Sequence, residues 1–259
     1  MSGIFKAYDI RGSYPDEINE ELGRDIGTAF AYMLKAERIV IGRDMRISSP
    51  ALAEAFAEGV RLAGSAVVDV GMSTTPMLNY ATISGGFDGG AMVTASHLPG
   101  QMNGFKLCGR NAVPLSEDSG LPAIEGMIGQ GLTSEFFAAH SGLYERTDML
   151  GQYIEMLGKF VRGPAELKVV VDAGNGTAGP EIELFFEQNT AWRLTPMHMR
   201  PDGSFPAHEA NPLMPAATEE LQDRVVREGA DLGAAFDGDA DRCMFITEGG
   251  ARIRADLML

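Results

Sequence analysis

Short apolar runs separated by segments of helical period set the strongest limit on what this chain can become. The runs fall at Arg38–Ile41, Ala66–Val70 and Ala91–Thr94, and again at Leu167–Val171, Trp192–Thr195, Leu232–Phe236 and Met244–Ile246. Amphipathic segments lie between them: Glu17–Leu34, Pro50–Ala63, a stretch from Met77, Met149–Val161, a segment after Pro180, and Thr218–Glu228. A strand that returns parallel to its neighbour needs a long crossover, usually a helix, so this rhythm predicts helix-covered α/β sheets. The pattern breaks over the polar, glycine-punctuated residues 129–146 and then resumes, which predicts two α/β domains joined near residue 145.

At 259 residues and 45% hydrophobic content the chain can bury a core in each domain. A formal net charge of −15 argues against nonspecific binding to nucleic acid or to anionic membranes, which reward basic patches. An acidic chain that binds an anion must gather a few cations locally. Cys108 and Cys243 are too few for a disulfide framework and read as buried free thiols. The N-terminus has no apolar signal core, and no apolar run approaches the roughly 18 residues of a membrane span. The expected location is the cytoplasm.

Four stretches carry candidate chemistry. In FDGDADR, residues 236–242, Asp237, Asp239 and Asp241 alternate with small residues between two apolar strands, so an extended backbone would point all three carboxylates to one side. Three like charges that close need a cation, and oxygen-only donors favour a hard ion such as Mg²⁺ or Ca²⁺. A calcium EF-hand is a poor match, because Arg242 stands where its loop turns on glycine and the flanks read as strands. Ser96 and His97 follow a strand, and Pro99 and Gly100 force a turn, which puts the hydroxyl on the rim where α/β folds bind ligands. The G-x-S-x-G elbow of a hydrolase nucleophile is absent. Arg11, Arg43, Arg46, Lys106 and Arg242, all in loops after strands, together read as an anion pocket. DAGNGTAGP, residues 172–180, has the glycine spacing of a dinucleotide fingerprint. The next strand, however, ends without an acidic residue for a ribose, and a tight strand-to-helix turn is the better reading. His208, in the loop of residues 201–213, is uninformative on its own.

YDIRG, GRDMRISS, TASHLPGQMNGFK, DAGNGTAG, PDGSFPAHEANP and DGDADR, in this order, resemble the α-D-phosphohexomutases, the phosphoglucomutase and phosphomannomutase family. The resemblance runs along the whole chain. It implies two consecutive mixed-sheet α/β domains of the phosphohexomutase type, at residues 1–145 with a phosphoserine loop and 146–255 with a metal loop. Residues 256–259 would open a third domain, and the family's third and fourth domains would be lacking. It implies that Ser96 carries a phosphoryl group and that Asp237, Asp239 and Asp241 hold Mg²⁺ together with that serine. Arg11, Lys106 and Arg242 would supply positive charge or move protons, and His97 would support the phosphoserine. Tyr8, Arg43 and Thr94 would contact substrate or phosphate. The reaction implied interconverts hexose 1-phosphate and 6-phosphate through a hexose 1,6-bisphosphate. Two departures, Leu98 where asparagine is commonest and Ala210 where proline is usual, touch no group needed for phosphoryl transfer. The length implies a truncated catalytic half, with self-association through surfaces that later domains would cover. The alternative is a non-catalytic metal- and phosphate-binding module.

Overall fold

A computed structural model describes residues 3–162, 166–189 and 191–254. Residues 256–259, expected to open a third domain, lie outside the described residues. Of the described residues, those up to Ala95 together with Gly100–Met149 form one compact unit. Ser96–Pro99 together with those from Leu150 onward form a second.

The first unit contains β1 (Ile10–Ser13), α1 (Glu20–Leu34), β2 (Arg38–Arg43), α2 (Ser49–Leu62), β3 (Ala66–Met72), α3 (Thr75–Ser84), β4 (Gly89–Val93), β5 (Met102–Gly109), α4 (Leu121–Gln130) and β6 (Tyr144–Arg146). They build a six-stranded sheet in the order β1-β5-β4-β2-β3-β6. The pairs among β4, β2, β3 and β6 are parallel, and β5 and β1 extend the sheet antiparallel. Helix starts are chemically marked. The Asn19 side chain accepts the Leu22 N–H at 3.0 Å to open α1, with Glu20 and Glu21 at the positive end of its dipole. The Thr74 hydroxyl accepts the Met77 N–H at 3.1 Å to open α3.

Helices α1 and α2 touch backbone to backbone. A Cβ on Gly59 would lie 1.9 Å from the Arg24 carbonyl oxygen, and the Thr28 hydroxyl donates to the Gly59 carbonyl across the crossing at 3.1 Å. This close approach stacks Phe56 of α2 on Phe105 of β5, with ring centroids 5.4 Å apart, and places Phe30 of α1 at 5.9 Å from Phe56. All three rings are fully buried, each contributing about 1.5–3 kcal/mol of hydrophobic burial.

After β2 the chain forms a buried polar knot. Arg46 donates through Nε to Asp44 at 2.9 Å and through Nη1 to the Met102 carbonyl at 3.0 Å, and the Ser49 hydroxyl donates to Asp44 at 2.5 Å. Asn103 donates to the hydroxyls of Ser48 and Ser49. Arg46 is 1% exposed, which corrects its reading as part of an anion pocket: its charge is spent on Asp44 inside the unit.

The second unit contains α5 (Leu150–Gly158), β7 (Leu167–Asp172), α6 (Ala178–Gln188), β8 (Trp192–Met197), α7 (Glu219–Glu228), β9 (Leu232–Phe236) and β10 (Cys243–Thr247). Its sheet runs β10-β9-β7-β8, with β7 parallel to both β8 and β9, and β10 folded back antiparallel on β9. Val170, Leu221, Val225 and Ile246 centre its core. Both sheets are helix-associated, as the strand–helix rhythm predicts, and mixed, as the family resemblance implies. Residues 129–146, read as a break in that rhythm, include the edge strand β6. Its side chains are all exposed, so no apolar pattern marks it.

Replacing Gly59 with alanine is expected to destabilise the chain by about 1–3 kcal/mol, because helix backbone cannot yield to the added methyl. Chemical denaturation would show the midpoint falling, and an unchanged midpoint would contradict the close crossing.

Candidate metal and phosphate site

The turn between β9 and β10 gathers three carboxylates. The two-residue alternation of FDGDADR predicts an extended segment, and the structure corrects this. The Ala240 N–H donates to the Asp237 carbonyl at 3.1 Å, Ala240 adopts a left-handed φ of 59°, and the Asp237 N–H bonds the Arg242 carbonyl at 3.2 Å. The aspartates therefore converge through chain reversal and not through strand pleat. Carboxylate oxygens of Asp237, Asp239 and Asp241 lie within 4.8 Å of one another, the first two residues buried and the third exposed.

Burial, followed by the charges of Asp239 and Asp241, pushes the Asp237 carboxyl up to about 7. Arg242 opposes this. Its Nε stands 3.1 Å from Asp237 Oδ2 and 3.7 Å from Asp241 Oδ1, and its backbone N–H donates to Asp237 Oδ1 at 3.1 Å. One guanidinium faces three carboxylates. The donor set, oxygen only and crowded, fits a hard divalent cation.

Ser96 belongs to this cluster. Its hydroxyl donates to Asp237 Oδ2 at 2.8 Å and accepts from Arg242 Nη2 at 2.6 Å. The same Nη2 hydrogen-bonds His97 Nδ1. Ser96 lies just past the carboxyl end of β4, holds a left-handed φ of 53° and is buried.

The other expected site residues fall in the first unit. Arg11 on β1 pairs with Asp9 at 2.5 Å. Lys106 lies on β5 opposite Met92. Tyr8 is 72% exposed. Arg43 ends β2 and lines a groove with Arg61, Asp69 and Arg146. Thr94 is buried, its hydroxyl bonded to Asp44. Ser96, His97, Arg242 and the three aspartates are brought together within the second unit.

Sequence reasoning missed what holds the aspartate turn. The Gly238 carbonyl accepts from both the N–H of Thr177 at 2.9 Å and its hydroxyl at 3.1 Å. A Cβ on Gly176 would sit 2.8 Å from that carbonyl oxygen, so glycine is needed for the loop to approach. DAGNGTAG is thus a brace for the turn. Its glycine spacing was visible, but its partner lies 61 residues away in the chain.

Two outcomes follow for the purified protein. In metal-free buffer, the raised Asp237 pKa means that the folded state holds a proton that the unfolded state releases. Thermal stability is therefore expected to fall as pH rises from about 4 toward 7, and Asp237→Asn to flatten that slope. Thr177→Val keeps the backbone donor but loses the hydroxyl. It is expected to weaken Mg²⁺ binding roughly fivefold, the worth of about 1 kcal/mol of hydrogen bond, with Thr177→Ser close to wild type by calorimetry.

Comparison with known proteins identifies the family. The family model described as phosphoglucomutase/phosphomannomutase, alpha/beta/alpha domain I, matches residues 2–133, and the one for domain II matches residues 151–250. A phosphomannomutase of Escherichia coli is 38% identical over 256 residues, and one of Salmonella montevideo is 40% identical over 252 residues. These alignments cover 96% and 95% of this chain but 56% and 55% of the relatives, so the chain spans about half their length. In the crystal structure of a phosphoglucomutase/phosphomannomutase family protein from Burkholderia thailandensis, 57% of the chain superposes on 99% of this one, with a TM-score of 0.91 and 35% identity. With both domain models matched and its alternating motifs folded as described, the chain belongs to the phosphoglucomutase/phosphomannomutase family.

Proposed function

We propose that this chain carries the phosphoryl-transfer centre of a phosphohexomutase, with Ser96 as the phosphate carrier. The observation that supports this most directly is the position of the Ser96 hydroxyl, hydrogen-bonded both to Asp237 of the aspartate turn and to the Arg242 guanidinium. An ordinary loop serine has no need of a carboxylate cluster and a cation at once.

In this reading the phosphorylated Ser96 meets the free hydroxyl of a hexose 1-phosphate or 6-phosphate. The bond between phosphorus and the serine oxygen breaks, a bond to the sugar oxygen forms, and the sugar's hydroxyl proton passes to a neighbouring base. The resulting hexose 1,6-bisphosphate turns around and returns its other phosphoryl group to Ser96. Asp237, Asp239, Asp241 and the phosphoserine would hold Mg²⁺, which when bound offsets the charge of the transferring phosphoryl oxygens. Arg242 steadies the serine oxygen as charge builds on it. His97, held through Nδ1 by the same guanidinium, fixes the orientation of that guanidinium. Arg11 and Lys106 are assigned to positive charge or proton transfer, and Tyr8, Arg43 and Thr94 to substrate or phosphate contact, on the strength of the motifs that contain them. Hexose phosphates as substrates, and the cytoplasm as location, rest on the relatives' names and on the free thiols Cys108 and Cys243.

The deciding experiment is intact mass with peptide mapping, before and after incubation with glucose 1,6-bisphosphate and Mg²⁺. A gain of about 80 Da on Ser96, absent from Ser96→Ala, is the expected result. Phosphorylation elsewhere, or a Ser96→Ala protein that still accepts the group, would overturn the assignment. Asp239→Asn is expected to lower Mg²⁺ affinity at least about tenfold, and wild-type affinity in that variant would argue against the three-aspartate site.

A further inference from the structure

The second unit holds another cluster that phosphoryl transfer does not use. Asp172, at the end of β7, is 1% exposed and faces two imidazoles. His198 Nδ1 stands 3.0 Å from its Oδ1, and His208 Nε2 stands 3.0 Å from its Oδ2. The two rings meet edge to face with centroids 5.3 Å apart, and ligand atoms of all three residues fall within 4.8 Å of one another. From this cluster we propose a binding site for a borderline divalent transition ion such as Zn²⁺, separate from the oxygen-only aspartate turn.

Two independent features carry the assignment. The first is spacing. Ligand atoms of the two imidazoles and the carboxylate lie within 4.8 Å of one another, a span that a tetrahedral ion with bonds of about 2.1 Å, whose donors stand about 3.4 Å apart, closes in place of the present hydrogen bonds. The second is how the outer nitrogens are held. Metal-ligating histidines direct the nitrogen that faces away from the ion at a carbonyl or carboxylate, which fixes the tautomer and turns the other lone pair inward. His208 Nδ1 lies 2.8 Å from the Glu209 carbonyl oxygen, and His198 Nε2 lies 3.7 Å from Glu220 Oε2. His208 therefore has a hydrogen-bonded oxygen partner outside the cluster, His198 has a carboxylate nearby beyond hydrogen-bond reach, and both rings direct their other nitrogen at Asp172. The Gly174 N–H donates to Asp172 Oδ1 at 2.8 Å, holding the carboxylate in place.

Softness separates the two sites. Imidazole nitrogen suits Zn²⁺, Co²⁺, Ni²⁺ or Cu²⁺, whereas three carboxylates suit Mg²⁺. An ion at Asp172 takes the place of the protons now shared between the imidazoles and the carboxylate. It fastens the loop that carries His208 to the end of β7 by coordination in place of hydrogen bonds.

The test is calorimetric titration of Zn²⁺ into the purified full chain with the aspartate turn saturated by Mg²⁺. One equivalent bound is expected, with affinity reduced at least about tenfold in His198→Ala and in His208→Ala and unchanged in Asp239→Asn. No Zn²⁺ uptake, or uptake lost in Asp239→Asn but kept in His208→Ala, overturns the site. Electron paramagnetic resonance of the Cu²⁺-loaded wild type guards against misfolded variants. Coupling to two imidazole nitrogens supports the site, and an oxygen-only spectrum overturns it. Neither readout depends on mutase turnover, so the outcome is separable from that of Ser96.

Discussion

Repulsion among Asp237, Asp239 and Asp241 is the constraint around which the second unit is organised. Three carboxylates whose oxygens approach within 4.8 Å would drive a flexible loop apart. The turn stays closed because it is clamped from several sides. β9 and β10 pair through Phe236 and Cys243 on either side of it, Thr177 grips the Gly238 carbonyl, and Arg242 lays its charge against Asp237 and Asp241. Arg242 also reaches Ser96 and His97, so the residue that tempers the repulsion positions the hydroxyl as well. Such rigid convergence of charge makes a cation's arrival favourable without a change of loop shape, and preorganisation of that kind strengthens electrostatic contacts at the moment of reaction.

Much of this was legible in the sequence because the relevant signals are local. Apolar runs alternating with amphipathic segments announced the helix-covered sheets. DGDADR announced a cluster of carboxylates, since three aspartates stand within five residues. What failed was the geometry. Alternation implied an extended strand, but Gly238 and Ala240 let the chain reverse, with Ala240 in a left-handed conformation that an unbranched small residue tolerates. The reading of Arg46 failed for a related reason. Position after a strand says nothing about which way a side chain turns, and this one turns inward to Asp44.

Strands were missed where polar side chains or an edge interrupt the apolar code. β1 carries Arg11, and β5 carries Asn103 and Lys106 within eight residues, so neither shows a clean period of two. β6 is exposed along its length. Asn103 shows why such polar residues persist. Its amide bonds the hydroxyls of Ser48 and Ser49, which belong to the knot around Asp44, and an apolar side chain there would leave those groups without their partner.

The braces of the second unit escaped notice because their partners are far apart in sequence and close in the fold. β7 and β9 run parallel, with Asp172 opposite Ala235, so the loops that leave both strands open on the same edge of the sheet. In α/β sheets that edge is where ligands bind. The loop from Asp172 to Thr177 consequently serves two neighbours. At its start Asp172 joins His198 and His208, and five residues later Thr177 holds Gly238. Gly176 permits the second contact by lacking a side chain, and Gly174 donates its N–H to the first. The glycines that imitate a dinucleotide fingerprint have three separate causes: Gly174 takes a left-handed φ of 56°, Gly176 admits the Gly238 carbonyl, and a Cβ on Gly179 would lie 1.8 Å from the Met199 carbonyl oxygen. One short stretch of backbone, from Asp172 to Thr177, thus joins the histidine cluster to the aspartate turn.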